Sequence, residues 1–319
     1  MKPIIEDFVN RSDQLTFLWD MARQKVEPRI LVVEAEDGMG KTYLLQEFRA
    51  ECQDEGFEVV CLDFGERYED PGYLYVIKET WSQLGPVGFD TLAKTIEETV
   101  ARSIKKTAQA GWQDVQSVRQ TNSALASEIT SQSRQISSAG ESLTTGEPPG
   151  NQSGGVNIYG GTNTFRDVAG RDIVHFIQVI HHDDPFVQIQ AHSFINEAFK
   201  ECLVQITAER NIIFFIDHWQ KAEPDTRNWL AHSLVKWTAD KLLSRVCVVI
   251  AGDKVVGLEP RSLLKRILLP ELAHDAIQVY LVDICGLQPE DVPKFIEIAG
   301  GRPDILSIAV KRRKLLKRQ

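Results

Sequence analysis

A lysine and a threonine set directly behind two closely spaced glycines, Gly38-Met39-Gly40-Lys41-Thr42, follow the apolar run Ile30-Leu31-Val32-Val33. Glycines at 38 and 40 let the backbone curl with its N–H groups turned inward, and a helix opening near Lys41 adds the positive end of its dipole. Phosphate oxygens would then meet several donors at once. In such a loop Lys41 reaches the β- and γ-phosphates and Thr42 contributes its hydroxyl to a Mg²⁺ ion. The strict pattern opens on glycine where this chain has Ala35; a methyl group still fits that turn. A second carboxylate must complete the metal site, and Asn211-Ile212-Ile213-Phe214-Phe215-Ile216-Asp217 delivers Asp217 from an apolar strand, at the end where open α/β sheets bind ligands. The next residue, where an acid commonly activates water, is His218. A neutral imidazole orients water less strongly than a carboxylate, so slow turnover is expected.

These groups need a scaffold. Ser12 to Arg23 reads as a helix with Ser12 as N-cap and Leu15, Leu18 and Trp19 on one face. Leu44, Leu45 and Phe48 give the helix behind the glycine turn an apolar face, and Glu58 to Asp63 forms a second strand. Strand, helix and strand in succession predict a parallel sheet. Three further runs are assigned to that sheet: Asn211 to Ile216, Arg245 to Ala251, and Ala276 to Val282. Pro224 to Trp237 reads as one helix, with Pro224 in its first turn and Leu230, Leu234 and Trp237 at helical spacing.

The stretch between Asp63 and Asn211 is longer than one crossover requires, which predicts an insertion. Leu92, Ile96, Val100 and Ile104 recur at helical spacing in its first half, and Ser137 to Gly155 is polar and glycine-rich enough to be read as disordered. Val156 to Asn163 and Asp167 to Val174 are short β-prone pieces punctuated by glycine, read as a hairpin or a β-arc. Unpaired edges of that kind invite pairing with other copies of the chain, so self-association through the insertion is a second expectation.

Composition narrows the class. The 319 residues, 43% hydrophobic and 25% charged, suit a globular protein with one large or two ordinary domains. Apolar runs are of strand length, and Met1-Lys2-Pro3 leads into an acidic segment, so neither a membrane span nor a secretory leader is expected. Five scattered cysteines without a Cys-x-x-Cys pair fit reduced thiols and a cytoplasmic location. A net charge of −9 argues against broad nucleic-acid binding. His181-His182-Asp183-Asp184 is read as a solvated turn, the basic tail from Lys311 as a helix-end complement, and Trp219, Trp229 and Trp237 as packing residues.

Several boxes carry a family resemblance. Phe8-Val9-Asn10-Arg11-Ser12-Asp13-Gln14-Leu15 resembles the opening F-V-G-R-E-x-E-L box of the STAND class of AAA+-related ATPases and of similar origin-recognition-like and archaeal ATPases. Ile216-Asp217-His218 through Thr226 is similar to their Walker B region, and Gly300-Gly301-Arg302-Pro303 to the G-G-x-P element of the STAND helical lid. The resemblance implies a P-loop NTPase: an α/β fold with a parallel sheet flanked by helices, a long helical and partly disordered insertion carrying the β-hairpin, and a small C-terminal helical lid. It implies ATP and Mg²⁺ as ligands, held by Gly38, Met39, Gly40, Lys41 and Thr42, by Asp217, by Arg11 in the adenine-facing box, and by Gly301 and Pro303 in the lid. The divisions expected are 1–84 and 186–286 for the two halves of the ATPase domain, 85–185 for the insertion and 287–319 for the lid. Asn10 stands in place of a glycine, His218 in place of the second acid, and Lys254 where the family often has arginine after a strand. The implied function is a nucleotide-dependent switch for signalling or assembly, acting with a separately encoded effector or sensor. Two alternatives stand beside it: a DNA-associated ATPase of the helicase-loader or origin-binding type, and an ATP-binding scaffold that does not hydrolyse.

Overall fold

A computed structural model describes residues 11–65, 72–103, 185–258 and 263–308, with side chains from residue 188 onward in the third stretch. Its centre is a five-stranded sheet of β1 (Ile30–Glu34), β2 (Glu58–Asp63), β3 (Ile212–Asp217), β4 (Val246–Gly252) and β5 (Leu264–Leu268), in the order β2-β3-β4-β1-β5. Every neighbouring pair is parallel. β3 and β4 are buried along their whole length, which explains why their sequences are nearly continuous apolar runs rather than alternating ones. β5 is an edge strand with Lys265 and Arg266 exposed at its middle, charges that discourage pairing with another sheet.

Helices follow in chain order: α1 (Ser12–Ala22), α2 (Lys41–Asp54), α3 (Tyr73–Leu84), α4 over 90–103, α5 (Pro185–Glu209), α6 (Pro224–His232), α7 (Leu234–Ala239), α8 (His274–Val279), α9 (Val292–Ala299) and α10 over 303–308. One face of the sheet, carrying Leu31, Val33, Ile213, Phe215, Val249 and Ala251, packs on Leu18 and Met21 of α1 and on Leu44, Phe48 and Cys52 of α2. Phe48 sits at the centre of that layer, edge-on to Trp19 at 5.2 Å and to Phe215 at 5.8 Å between ring centroids. The alternate residues of the strands point the other way, as the two-residue period of a strand demands, and α7 touches β1 and β4 there. Trp229 stacks on Tyr73 at 5.2 Å and meets Trp237 edge-on at 6.0 Å, the packing role expected of those rings. Trp219 is wholly buried.

The chain divides into two units, residues 1–92 with 196–319, and residues 93–195. In the second unit the described residues are helical, with Ile96, Val100, Ala191 and Ile195 buried and Arg102 lying over the Phe194 ring. Burial of Ile96 and Val100 fits the helical spacing read there. The opening box as far as Asn10, Ile104, the polar stretch 137–155, the glycine-punctuated pieces within 156–174, residues 181–184 and the basic tail lie outside the described residues. In the first unit a small separate core joins Ile277, Leu281, Leu287, Val292, Ala299 and Leu306. Among the described residues no helix is long and apolar enough to cross a membrane. All five cysteines are free thiols, with Cys52, Cys202 and Cys247 buried.

Three expectations are corrected. Ala276 to Val282 is not a strand: it forms α8 and a wider helical turn over Tyr280–Ile284, and its buried residues Ala276, Ile277 and Leu281 recur at helical intervals. The fifth strand is instead Leu264–Leu268, masked in the sequence by its two central charges. Ser12 does not cap α1; Arg11 is the N-cap, its carbonyl accepting from Leu15 N at 2.9 Å. The helix read over Pro224–Trp237 breaks at Ser233, whose backbone (φ −113, ψ −90) starts a new helix, although Pro224 does occupy the first turn.

Replacing Phe48 by alanine empties a site enclosed on all sides. The expected cost is about 3–5 kcal/mol of folding stability, read as a lower urea midpoint at unchanged slope.

Candidate functional site

The glycine turn joins β1 to α2 at the C-terminal edge of the sheet. Gly38 (φ 83) and Gly40 (φ 85) are both left-handed, a conformation that residues with a Cβ avoid. Gly40 is the N-cap of α2 and brings no side-chain cap, so the first-turn N–H groups are left to other partners. Lys41, buried to 6% exposure, folds back under the loop and donates from Nζ to Ala35 O at 2.7 Å, Glu36 O at 2.8 Å and the Asp253 Oδ1 carboxylate at 2.7 Å. Asp253 stands just past β4, which lies beside β1. The neighbouring Lys254 is exposed.

β3 is separated from β1 by β4, yet its last residue reaches the same helix end. Thr42 Oγ1 donates to Asp217 Oδ2 at 2.6 Å, and the other carboxylate oxygen of Asp217 accepts the His218 N–H at 2.8 Å. His218 itself has a left-handed backbone (φ 55, ψ 41). Its Nδ1 lies 2.7 Å from Asp63 Oδ1 and 3.7 Å from Asp217 Oδ2. Asp63 ends β2, in register with Asp217 on the adjacent strand. Asp63, Asp217 and His218 thus present ligand atoms within 4.8 Å of one another.

The turn between α9 and α10 covers the loop. Asp304 N donates to Gly38 O at 3.3 Å, Arg302 donates to Asp37 O at 3.0 Å, and a Cβ on Gly40 would come within 3.7 Å of Pro303. Gly301 O accepts Leu272 N at 2.9 Å. The guanidinium of Arg302 grips both oxygens of Asp304, which holds that carboxyl below its ordinary pKa and raises that of the arginine. A Cβ on Gly38 would lie 2.2 Å from Asp304 Oδ2, so the carboxylate sits in space that only glycine leaves open. Arg11, 5% exposed, donates to Met39 O at 3.3 Å and to Pro270 O at 2.7 Å, tying the glycine turn to the segment after β5. Burial lowers its guanidinium pKa.

All ten residues singled out from sequence (Arg11, Gly38, Met39, Gly40, Lys41, Thr42, Asp217, His218, Gly301, Pro303) therefore gather in one region. Two residues escaped that reading. Asp253 was passed over because nothing local shows that β4 lies beside β1. Asp63 had a visible signal, an apolar strand ending in aspartate as Asp217 does, but only the pairing of β2 with β3 brings the two together.

No protein-family model matches the chain, and no curated protein matches it in sequence. Among solved structures it is similar to a Signal Transduction ATPase with Numerous Domains protein with a tetratricopeptide repeat sensor, from Pyrococcus horikoshii. That likeness has a TM-score of 0.44 at 11% identity and covers 95% of this chain. The chain spans 30% of the length of that protein. A similarity so distant carries no argument about function, which rests on the residues described above.

The donor set favours a hard cation. The Thr42 hydroxyl and the Asp217 carboxylate are oxygen ligands of the kind Mg²⁺ takes, with room left for water or phosphate oxygens, whereas the His218 ring is a softer donor and better suited to hydrogen bonding. Replacing Arg11 by methionine leaves Met39 O and Pro270 O without their charged donor. Unfolding free energy should fall by about 1.5–3 kcal/mol, measured by urea titration; unchanged stability would mean that the two carbonyls are served by water.

Proposed function

We propose that this chain binds ATP with Mg²⁺ in the crevice at the C-terminal ends of β1, β3 and β4, and that the bound nucleotide acts as a switch for signalling or assembly. One observation carries the reading: a curled glycine turn at a helix N-terminus meets a buried lysine, a threonine hydroxyl and a strand-end carboxylate. Backbone amides at 38–42 receive the phosphates, Lys41 pairs with the β- and γ-phosphates, and Thr42 and Asp217 hold the Mg²⁺. The metal ion supplies charge neutralisation on the phosphate oxygens. To receive them Lys41 exchanges the Asp253 carboxylate for phosphate, so the resting ion pair sets the affinity.

The turn Gly301–Asp304 supports the switch. It already hydrogen-bonds to Asp37 O and Gly38 O, so a ligand seated in the loop changes what that turn touches. A ligand at a hundred times its dissociation constant stabilises the state it prefers by about 2.7 kcal/mol, which moves a closed-to-open ratio about a hundredfold without hydrolysis. Self-association through the insertion and action on a separately encoded partner belong to the same proposal. The non-hydrolysing scaffold is kept as a second reading because His218 occupies the position of the usual second acid.

Calorimetric titration of the full chain with MgATP is the direct test. Lys41→Ala should weaken binding at least about tenfold, that is ~1.4 kcal/mol, and Asp217→Asn should remove most of the Mg²⁺ dependence. Equal affinity of wild type and Lys41→Ala ends the nucleotide reading. Phosphate release separates switch enzyme from scaffold, since equal release from both proteins removes the enzymatic claim. Sizing with and without ATP reads the assembly.

A further inference from the structure

We propose that Asp63 is the positioning residue of the site: it holds the His218 ring in the tautomer whose Nε2 accepts from the water that attacks the γ-phosphate. The inference rests on the nucleotide reading above and extends it from binding to hydrolysis.

The position after Asp217 offers no carboxylate, but a second carboxylate arrives from the side. Parallel pairing of β2 with β3 sets Asp63 directly beside Asp217. His218 then takes a left-handed backbone, unusual for a residue with a Cβ, and that turn carries its ring to Asp63, Nδ1 to Oδ1 being 2.7 Å. Gly65 is part of the arrangement: a Cβ there would lie 2.4 Å from His218 Nδ1, so the ring fits only because residue 65 has no side chain. The Gly65 N–H also donates to Asp63 Oδ1 at 2.7 Å, fixing the carboxylate from behind. A carboxylate can only accept, so Nδ1 carries the hydrogen and Nε2 is left as the acceptor. The same ring stands 3.7 Å from Asp217 Oδ2, the oxygen to which Thr42 donates, which sets it beside the groups assigned to the metal and phosphates.

In the attack, the water oxygen forms a bond to the γ-phosphorus. The bond from that phosphorus to the oxygen bridging to the β-phosphate breaks, and the electron pair leaves on the bridging oxygen. The water's proton passes to Nε2 and then to solvent, while Asp63 keeps the Nδ1 hydrogen bond and stabilises the cationic ring. Asp63 touches neither water nor nucleotide; it acts through His218.

The hydrogen-bond pattern distinguishes two substitutions. Asp63→Ala removes the acceptor. Asp63→Asn keeps it, because the Gly65 N–H requires an oxygen at the Oδ1 position and so turns the amide carbonyl toward both Gly65 and His218. Nitrogen NMR of histidine-labelled full-length protein without nucleotide should show His218 protonated on Nδ1 in wild type and Asp63→Asn, and on Nε2 in Asp63→Ala. With MgATP, Asp63→Ala should bind within about twofold of wild type and lose about 100-fold in kcat at little change in KM, and Asp63→Asn should recover most of that loss. His218→Ala should fall as far as Asp63→Ala, and the double variant no further, as residues acting as a unit do. Wild-type His218 protonated on Nε2, full turnover in Asp63→Ala, an asparagine variant as slow as the alanine one, or wild type that binds MgATP without hydrolysing it overturns the inference while the binding reading stands. Wild type that binds no nucleotide overturns both.

Discussion

An ammonium group removed from water must find acceptors for its hydrogens, and the fold around Lys41 is arranged to provide them. At 6% exposure Lys41 has little solvent to fall back on, so its Nζ is met by two carbonyls of the loop it belongs to and by a carboxylate from another strand. Those two carbonyls point inward only if the loop curls. The curl requires left-handed backbone at 38 and 40, hence glycine at both. Asp253 reaches Nζ only if β4 lies directly against β1, which the sheet order provides. One buried charge thereby links the loop's conformation, its glycines and the strand order.

That strand order also explains where the other groups come from. After β1 the chain crosses to the far edge, returns through β3 and β4, and then passes over β1 to β5. The reversal brings the C-terminal ends of three strands to one crevice, the place where open parallel sheets bind ligands. β2 contributes Asp63, β3 contributes Asp217 and β4 leads to Asp253, so each strand on one side of β1 delivers an aspartate at or just beyond its end. Asp304 comes to the same loop from the covering turn.

Carboxylates so close together repel one another unless cations intervene. Lys41 answers Asp253, Arg302 answers Asp304, and the His218 ring answers Asp63. Asp217 is answered by neutral donors alone, the Thr42 hydroxyl and the His218 N–H, and it is the carboxylate whose charge a divalent cation would complement best. The arginines differ in role from the lysine. Arg11 and Arg302 both donate to backbone carbonyls of the glycine turn, Met39 O and Asp37 O, and so brace its outer side.

Much of the site was legible before any coordinates. The run into Gly38-Met39-Gly40-Lys41-Thr42, the strand ending at Asp217 and the apolar face of Leu44, Leu45 and Phe48 are local patterns, and local patterns follow from backbone geometry and period. The errors also have local causes. The apolar stretch around Ala276 to Val282 fits a strand or a helix until something packs on it, and β5 hides behind two charges that only an edge strand tolerates. Tertiary structure alone decided which strands are neighbours, and with that the partners of the functional side chains: Asp253 for Lys41, Thr42 for Asp217, Asp63 for His218. The reason is physical: backbone sterics and side-chain period act within a few residues, whereas lateral strand pairing joins residues 155 and more positions apart, and nothing in either segment names its partner.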